Sequence, residues 1–386
     1  MPSKTPQAAS VTDAPANAHL QALPARYYVD ESILARERER IFFRSWQYAC
    51  HVSELDAPGS YVATDILGQN VFVVRDDNGE IRAFYNVCPH RGHKLLEGRG
   101  SKRVIVCPYH QWSYTLDGNL RHNRGTASSQ TPGKSRICLH PVRVDRLLDF
   151  VLVNLDADAE PVAEYWPGLE QQVLEANPRV RDYSLSDQVS ALHPVDLQAN
   201  WKIHVDNFLE CYHCRIGHDS FSDMLDIANQ KQTLHRNYSY VFIPSSGKAD
   251  NKAYPLDPEF DDMDLHFWHL FPNLGLAQFA GPGNLSISQW LPIGANRAQR
   301  KIAQLDVAEV TDPGMLERRE LRTAWARDVL QPEDIGFIES VHEGMSQRAF
   351  EHGWYMIDPD HEEISEVMLR HFHQTYLAQL GDIEGA

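Results

Sequence analysis

Two short runs of this chain carry the residue types that bind transition metals. Cys88-Pro-His90-Arg-Gly-His93 is followed, with sixteen residues intervening after His90, by Cys107-Pro-Tyr-His110-Gln-Trp112. Each run offers one thiolate and one imidazole, Cys88 with His90 and Cys107 with His110. A [2Fe–2S] cluster of the Rieske type takes two cysteines on one iron and two histidines on the other. Neutral imidazoles leave such a cluster less negative than four thiolates would, which raises its potential to roughly −150 to +300 mV. Tetrahedral zinc is the rival, because a Cys2His2 set satisfies it as well. Zinc fingers pair Cys with Cys and His with His, whereas each run here has one of each, which favours iron–sulfur.

A second constellation lies at Asn200-Trp-Lys-Ile-His-Val-Asp206-Asn-Phe-Leu-Glu210-Cys-Tyr-His213-Cys-Arg-Ile-Gly-His218. On a helix, Asp206, Glu210 and His213 fall at i, i+4 and i+7, a single stripe. Gly217 would end that helix and leave His218 where the chain bends. Two histidines and one carboxylate hold non-haem Fe(II) while leaving positions open for oxygen, and His213 and His218 would be two of the three. Alone, a His-x4-His pair reads equally well as surface or cap histidines. Beside a one-electron cluster it reads as the acceptor that such a cluster needs.

Both motifs need a scaffold. The stretch 25–46 has a helical look, with Ile33, Leu34, Ile41 and Phe42 among Glu/Arg pairs. From Gln47 the pattern becomes short strands, Tyr61-Val-Ala-Thr, Asn70–Arg75 and Ile81–Tyr85, separated by Asp56-Ala-Pro-Gly59 and Asp77-Asn-Gly79. We read 48–155 as an antiparallel β domain with the metal loops at its tip. The remainder, 156–386, reads as an α+β catalytic domain: helices over 164–176 and 199–218, strands over 233–310, then helices over 315–328 and 334–350. Residues 25–47 are assigned to the catalytic domain, and 1–24, rich in Ala, Pro, Ser and Thr, to a flexible tail with no signal-peptide core.

The net charge of −17 over 386 residues argues against nucleic acid or an anionic membrane as partner. No run reaches the ~18 apolar residues of a membrane helix. Six cysteines, two of them in the first motif, suggest reduced thiols in a cytoplasmic protein.

Together the two motifs resemble the Rieske non-haem iron oxygenases, in their α-subunit or homo-oligomeric form, from about Tyr27 to the C-terminus. Cys-x-His-x16-Cys-x2-His matches that family's cluster motif. Asn200-Trp-Lys, Asp206-Asn, Glu210 and Tyr212-His213 match its catalytic helix, with Asp206 where many members carry Glu. The resemblance implies a Rieske domain inserted in a helix-grip-like catalytic domain with a central antiparallel sheet. It places the third iron ligand at Asp334, in Leu330-Gln-Pro-Glu333-Asp334, with Glu333 as the local competitor. Glu210 and Asp206 become the catalytic acids, Glu210 as the carboxylate bridging a cluster histidine of one subunit to an iron histidine of the next. That geometry implies a head-to-tail homotrimer. It also implies a flavin/iron–sulfur reductase fed by NAD(P)H, directly or via a ferredoxin, and O2 as co-substrate.

Within the family the resemblance points to enzymes of quaternary ammonium compounds such as carnitine, glycine betaine and choline. It rests on Phe84–His93, Asp206–Cys214, Pro332-Glu-Asp334 and Glu339-Ser-Val341. The pocket is expected to include Trp268, Phe271 and Asn273, with a trimethylammonium head over an aromatic face. The same aromatics would suit an arene in a ring-hydroxylating dioxygenase. A Rieske electron carrier without oxygenase activity would need only about 110 residues.

Overall fold

The computed structural model describes residues 18–125, 137–186, 194–308, 310 and 312–381. Residues 1–17 of the expected tail lie outside these. Residues 18–24 are ordered: Gln21–Pro24 is a strand paired antiparallel with His352–Trp354, and Leu23 is buried. The helix expected over 25–46 is divided at Asp30, which ends Arg26–Val29 and caps α1 (Glu31–Arg40) by accepting from the Ser32 N–H at 2.8 Å.

The first sheet is antiparallel, in the order Gln47–His51, Phe150–Asn154, Pro141–Leu147, Ile81–Tyr85, Gln69–Arg75, Ser60–Ile66, Arg99–Ser101. Its strand Gln69–Arg75 is apolar on both faces because it separates two cores. Val71 and Val73 pack with Val151 and Val153, while Phe72 and Val74 face Phe84, Cys88 and Tyr114. A small sheet of Ile105–Val106, Ser113–Tyr114 and Leu120–His122 supports the second metal loop.

The second sheet is also antiparallel. Its centre is β1 (Leu265–Leu270), β2 (Leu274–Gln278), β3 (Asn284–Gly294) and β4 (Arg297–Val307). Tyr238–Ile243 and Lys231–Leu234 extend it beyond β1, and Tyr183–Leu185 and Val195–Leu197 pair with β4. One face packs on the helix Leu169–Ala176 and the other lies under α2 (Trp201–Phe208).

The helix expected to continue to His218 stops at Phe208. Beyond Leu209 the Glu210 carboxylate accepts from the N–H groups of Tyr212 (2.6 Å) and His213 (3.2 Å), which a continuous helix would tie to carbonyls. Cys211 and Cys214, expected as free thiols, are joined by a disulfide across this loop. A short turn, Cys214–Gly217, then leads to His218. Late in the chain Pro313–Trp325 runs through a π-helical turn, Ala326–Leu330, into α3 (Gln331–Met345). Pro332 explains the widened turn, since it has no N–H and its ring crowds the carbonyl four residues back. The last helix is α4 (Val367–Leu380).

A buried polar knot ties α1, α2 and α4 together. Glu37 is fully buried and receives Lys202 Nζ (2.6 Å), Trp201 Nε1 (2.8 Å) and Tyr376 OH (2.5 Å). The ammonium also lies 5.0–5.4 Å from the ring centroids of Tyr28, Trp201 and Tyr376. Burial depresses the Lys202 pKa, and Glu37 opposes that. Lys202→Met, which strands Glu37 in a dry core, should lower unfolding stability by about 3–5 kcal/mol in denaturant titration.

Candidate active site

The two Cys/His loops repeat one backbone design. Cys88 N–H donates to His93 O and Cys88 O accepts from Gly92 N–H; Cys107 N–H donates to Trp112 O and Cys107 O accepts from Gln111 N–H, all at 2.8–3.0 Å. The i+4 residue is left-handed in both, Gly92 at φ +73° and Gln111 at φ +60°. This folds each loop so that its Cys points inward and its His outward: Cys88 and Cys107 are buried, while His90 and His110 are half-buried. Burial holds the Cys88 thiol pKa up and the neighbouring Cys107 adds to this, while the two imidazoles meet edge to face, centroids 4.7 Å apart. His90 also stacks on Trp112 at 4.3 Å. Among the described residues no three of these four donors lie within 4.8 Å of one another. Tetrahedral zinc needs such a knot; a two-iron cluster needs separate sulfur and nitrogen pairs. The Tyr114 hydroxyl lies 3.1 Å from Cys88 Sγ, placed to donate to that sulfur when it is a cluster thiolate.

His213, His218 and Asp334 do form such a knot, each offering one atom within 4.8 Å of the other two. His213 Nε2 and His218 Nε2 are 3.1 Å apart, and Asp334 Oδ1 lies 3.7 and 3.0 Å from them. The outer nitrogens are engaged: Glu210 Oε1 contacts His213 Nδ1, and Glu333 Oε2 lies 2.8 Å from His218 Nδ1. A carboxylate accepting from Nδ1–H holds the ring in the tautomer whose Nε2 lone pair faces a metal. Glu333, the competitor of Asp334, is thus engaged behind His218 and outside the three-donor group.

Charge makes the site a cation trap. Burial alone would depress His213, but Asp334 and Glu210 outweigh it and lift it to about 9. His218 is likewise raised, burial opposing and Asp334 and Glu333 prevailing. Burial would raise Asp334, yet both histidines hold it well below the usual carboxylate range. These donors fit a divalent cation with open coordination positions.

Asp206, expected as a catalytic acid, makes its hydrogen bonds elsewhere. It accepts from Tyr28 OH (2.7 Å) and sits 3.0 Å from His373 Nε2, whose Nδ1 meets Tyr355 OH at 2.7 Å. It anchors α2 to α4 and touches none of the three donors.

The expected pocket residues Trp268, Phe271 and Asn273 are core. Trp268 is wholly buried, stacked on Tyr240 and donating to Gln172 at 3.0 Å; Phe271 packs near Phe372; Asn273 donates to Trp290 O at 2.9 Å. Strand alternation turns Trp268 to the opposite face of β1 from Phe267. The cavity beside the three donors is lined by a cross-strand row, Val241, Phe267, Ala277, Ser286 and Gln304, and by Phe208, Trp290 and Arg300. Gly275 is required there, because a Cβ would come within 2.8 Å of the Trp290 ring.

A family model for the ring hydroxylating alpha subunit (catalytic domain) matches residues 179–382, and one for the Rieske [2Fe-2S] domain matches residues 45–139. The carnitine monooxygenase oxygenase subunit of Escherichia coli (strain K12) is 36% identical over 360 residues, 93% of each chain. Choline monooxygenase of Spinacia oleracea is 27% identical, over 93% of this chain and 78% of that one. A solved quaternary ammonium Rieske monooxygenase superposes with a TM-score of 0.84 at 29% identity, covering 95% of this chain and 97% of that one, and structures of a quaternary ammonium Rieske monooxygenase in complex with L-carnitine and with γ-butyrobetaine superpose at 0.80 and 0.79.

The two donor groups share no residue, so they should fail separately. Asp334→Ala should lose one iron per chain and keep the visible Rieske spectrum; Cys88→Ser should lose that spectrum. Iron assay with absorption and EPR spectroscopy checks both.

Proposed function

The chain belongs to the ring-hydroxylating oxygenase α-subunit family, with a Rieske domain joined to a non-haem iron catalytic domain, and from this we propose that it is a terminal monooxygenase component for a small quaternary ammonium compound. The observation that carries the substrate reading is the aromatic wall beside the three-donor site. The Phe208 ring lies 5.2 Å from that of Phe267 and 5.1 Å from that of Trp290, and all three line the cavity. A trimethylammonium group has no N–H to donate, so ring faces are what can attract it. The relatives named as carnitine and choline monooxygenases support the same class.

In this reading Cys88, His90, Cys107 and His110 hold the [2Fe–2S] cluster, and His213, His218 and Asp334 hold the mononuclear iron. A cluster held there would supply single electrons, drawn from NAD(P)H through a flavin/iron–sulfur reductase or a ferredoxin, and iron at the three donors would supply the O2 activation that hydroxylation or demethylation of the substrate requires. Glu333 orients His218, and Glu210 orients His213. Glu210 has a second task, accepting the outer ring N–H of a cluster histidine on the next subunit. The exposed faces are consistent with a head-to-tail homotrimer. Tyr109 (57%) and Val106 (46%) project from the cluster end, Tyr212 (45%) and Ile216 (91%) beside Glu210, apolar groups that a neighbouring copy would cover.

Glu210→Gln keeps shape but places an amide donor opposite an N–H. Both metals should remain and the cluster should still accept electrons, while single-turnover cluster reoxidation with substrate and O2 slows by orders of magnitude. Wild-type reoxidation kinetics in the variant would return Glu210 to a structural role. Substrate-dependent O2 uptake with a generic reductase tests the class; uptake with simple arenes but not with betaines, carnitine or choline would overturn it.

A further inference from the structure

One end of the cavity gathers three buried side-chain nitrogens that have no hydrogen-bond partner among the described residues. Trp290 on β3 and Arg300 on β4 are directly opposite cross-strand partners, so both side chains leave the same face of the sheet. His204 of α2 stands over the Trp290 ring, centroids 6.2 Å apart and planes inclined by 23°. All three line the cavity. Arg300 Nε, Trp290 Nε1 and His204 Nε2 are each buried without a hydrogen-bond partner. The guanidinium has one long contact, Nη2 to Ser288 Oγ at 3.4 Å, and among the described residues no carboxylate forms an ion pair with it. It is enclosed enough that burial depresses its pKa, with Asp334 opposing from a distance.

Guanidinium and indole are donor-only groups, and an arginine stays charged in proteins. A half-buried guanidinium without a counter-ion, its Nε enclosed and flanked by a second orphan donor, is unfavourable until an acceptor arrives. The complementary ligand is an anion with planar oxygens, since the guanidinium fork matches a carboxylate. Neither an ammonium group nor an apolar ring satisfies these nitrogens.

We propose that Arg300, assisted by the indole N–H of Trp290 and the ring of His204, receives the carboxylate of a zwitterionic substrate whose ammonium end meets the aromatic wall. This rests on the quaternary ammonium reading and narrows it. The enzyme selects betaine-type zwitterions, with trimethylammonium and carboxylate on one short chain, over choline-type cations. Arg300 is then a specificity residue in two senses: it attracts the carboxylate and repels a ligand carrying only positive charge.

The test is isothermal titration of the oxidised holoenzyme with four probes. These are γ-butyrobetaine, its methyl ester, choline, and 5,5-dimethylhexanoate, which replaces the ammonium nitrogen by carbon. The wild type should bind the betaine about a hundredfold tighter than the ester. In Arg300→Gln that ratio should collapse to near one, with the Rieske spectrum and thermal midpoint confirming a folded holoenzyme. Arg300→Lys, which keeps charge but loses the fork, should lower the ratio by about tenfold and decides the matter if the Gln variant does not fold. A wild-type ratio near one, or a ratio unchanged in both variants, would overturn the assignment. Tight binding of choline and ester without the betaine would overturn it and leave the quaternary ammonium reading standing. Arg300-dependent binding of 5,5-dimethylhexanoate, with neither the betaine nor choline bound, would keep the anchor and sink that reading. Binding of no probe would refute both.

Discussion

The catalytic half of the molecule depends on one buried ion pair. Glu37 brings Lys202, Trp201 and Tyr376 to a single carboxylate, and so joins the N-terminal helix, the helix leading to the metal site and the C-terminal helix. A carboxylate and an ammonium in a dry interior are tolerable only when each finds its partner with good geometry, so the pair specifies the mutual position of three helices. Asp206 repeats the device one turn along, joined to Tyr28 and His373. The loop from Glu210 to His218 thus begins at a helix end that is held from two sides.

Beyond that helix end the same electrostatic logic is used for function. Three carboxylates converge on two histidines, Asp334 among the inward nitrogens and Glu210 and Glu333 on the outward ones. Three carboxylates outnumber the two histidines, and that excess of negative charge favours a metal ion at the centre. Sheet geometry divides the neighbouring cavity into two surfaces. Rows across β1 to β4 present Phe267, Ala277 and Ser286, and a separate β3–β4 pair presents Trp290, whose ring joins the aromatic wall, beside Arg300. The result is an aromatic wall beside an unsatisfied basic corner, the polarity of a zwitterion turned inside out.

The sequence by itself determined the chemistry of the metal sites. Ligand spacing within a loop is a local property: Cys-x-His and Cys-x2-His each fit inside one hydrogen-bonded loop, so the motif carries its own geometry. The strands of the first domain were equally legible, because alternation and turn residues act over a few residues. The pairing of the two motifs, with the resemblance they carry, also led to Asp334, over a hundred residues away.

Tertiary structure alone decided the rest, wherever a competitor from outside the local window intervened. Glu37 reads as one more charged residue on a helix face and is wholly buried, because Lys202 lies 2.6 Å away in space and far away in the chain. A helical stripe through Glu210 gives way to a loop once that carboxylate captures two backbone N–H groups. The cavity shows the limit most clearly. An alternating strand has two faces and no local mark of which one meets the iron. Trp268 and Phe267 are therefore equal candidates by sequence, and the sheet's packing, with the helix Leu169–Ala176 on one face and α2 over the other, decides between them. The basic corner was hidden for the same reason: Trp290 and Arg300 are neighbours only because β3 and β4 pair in that register.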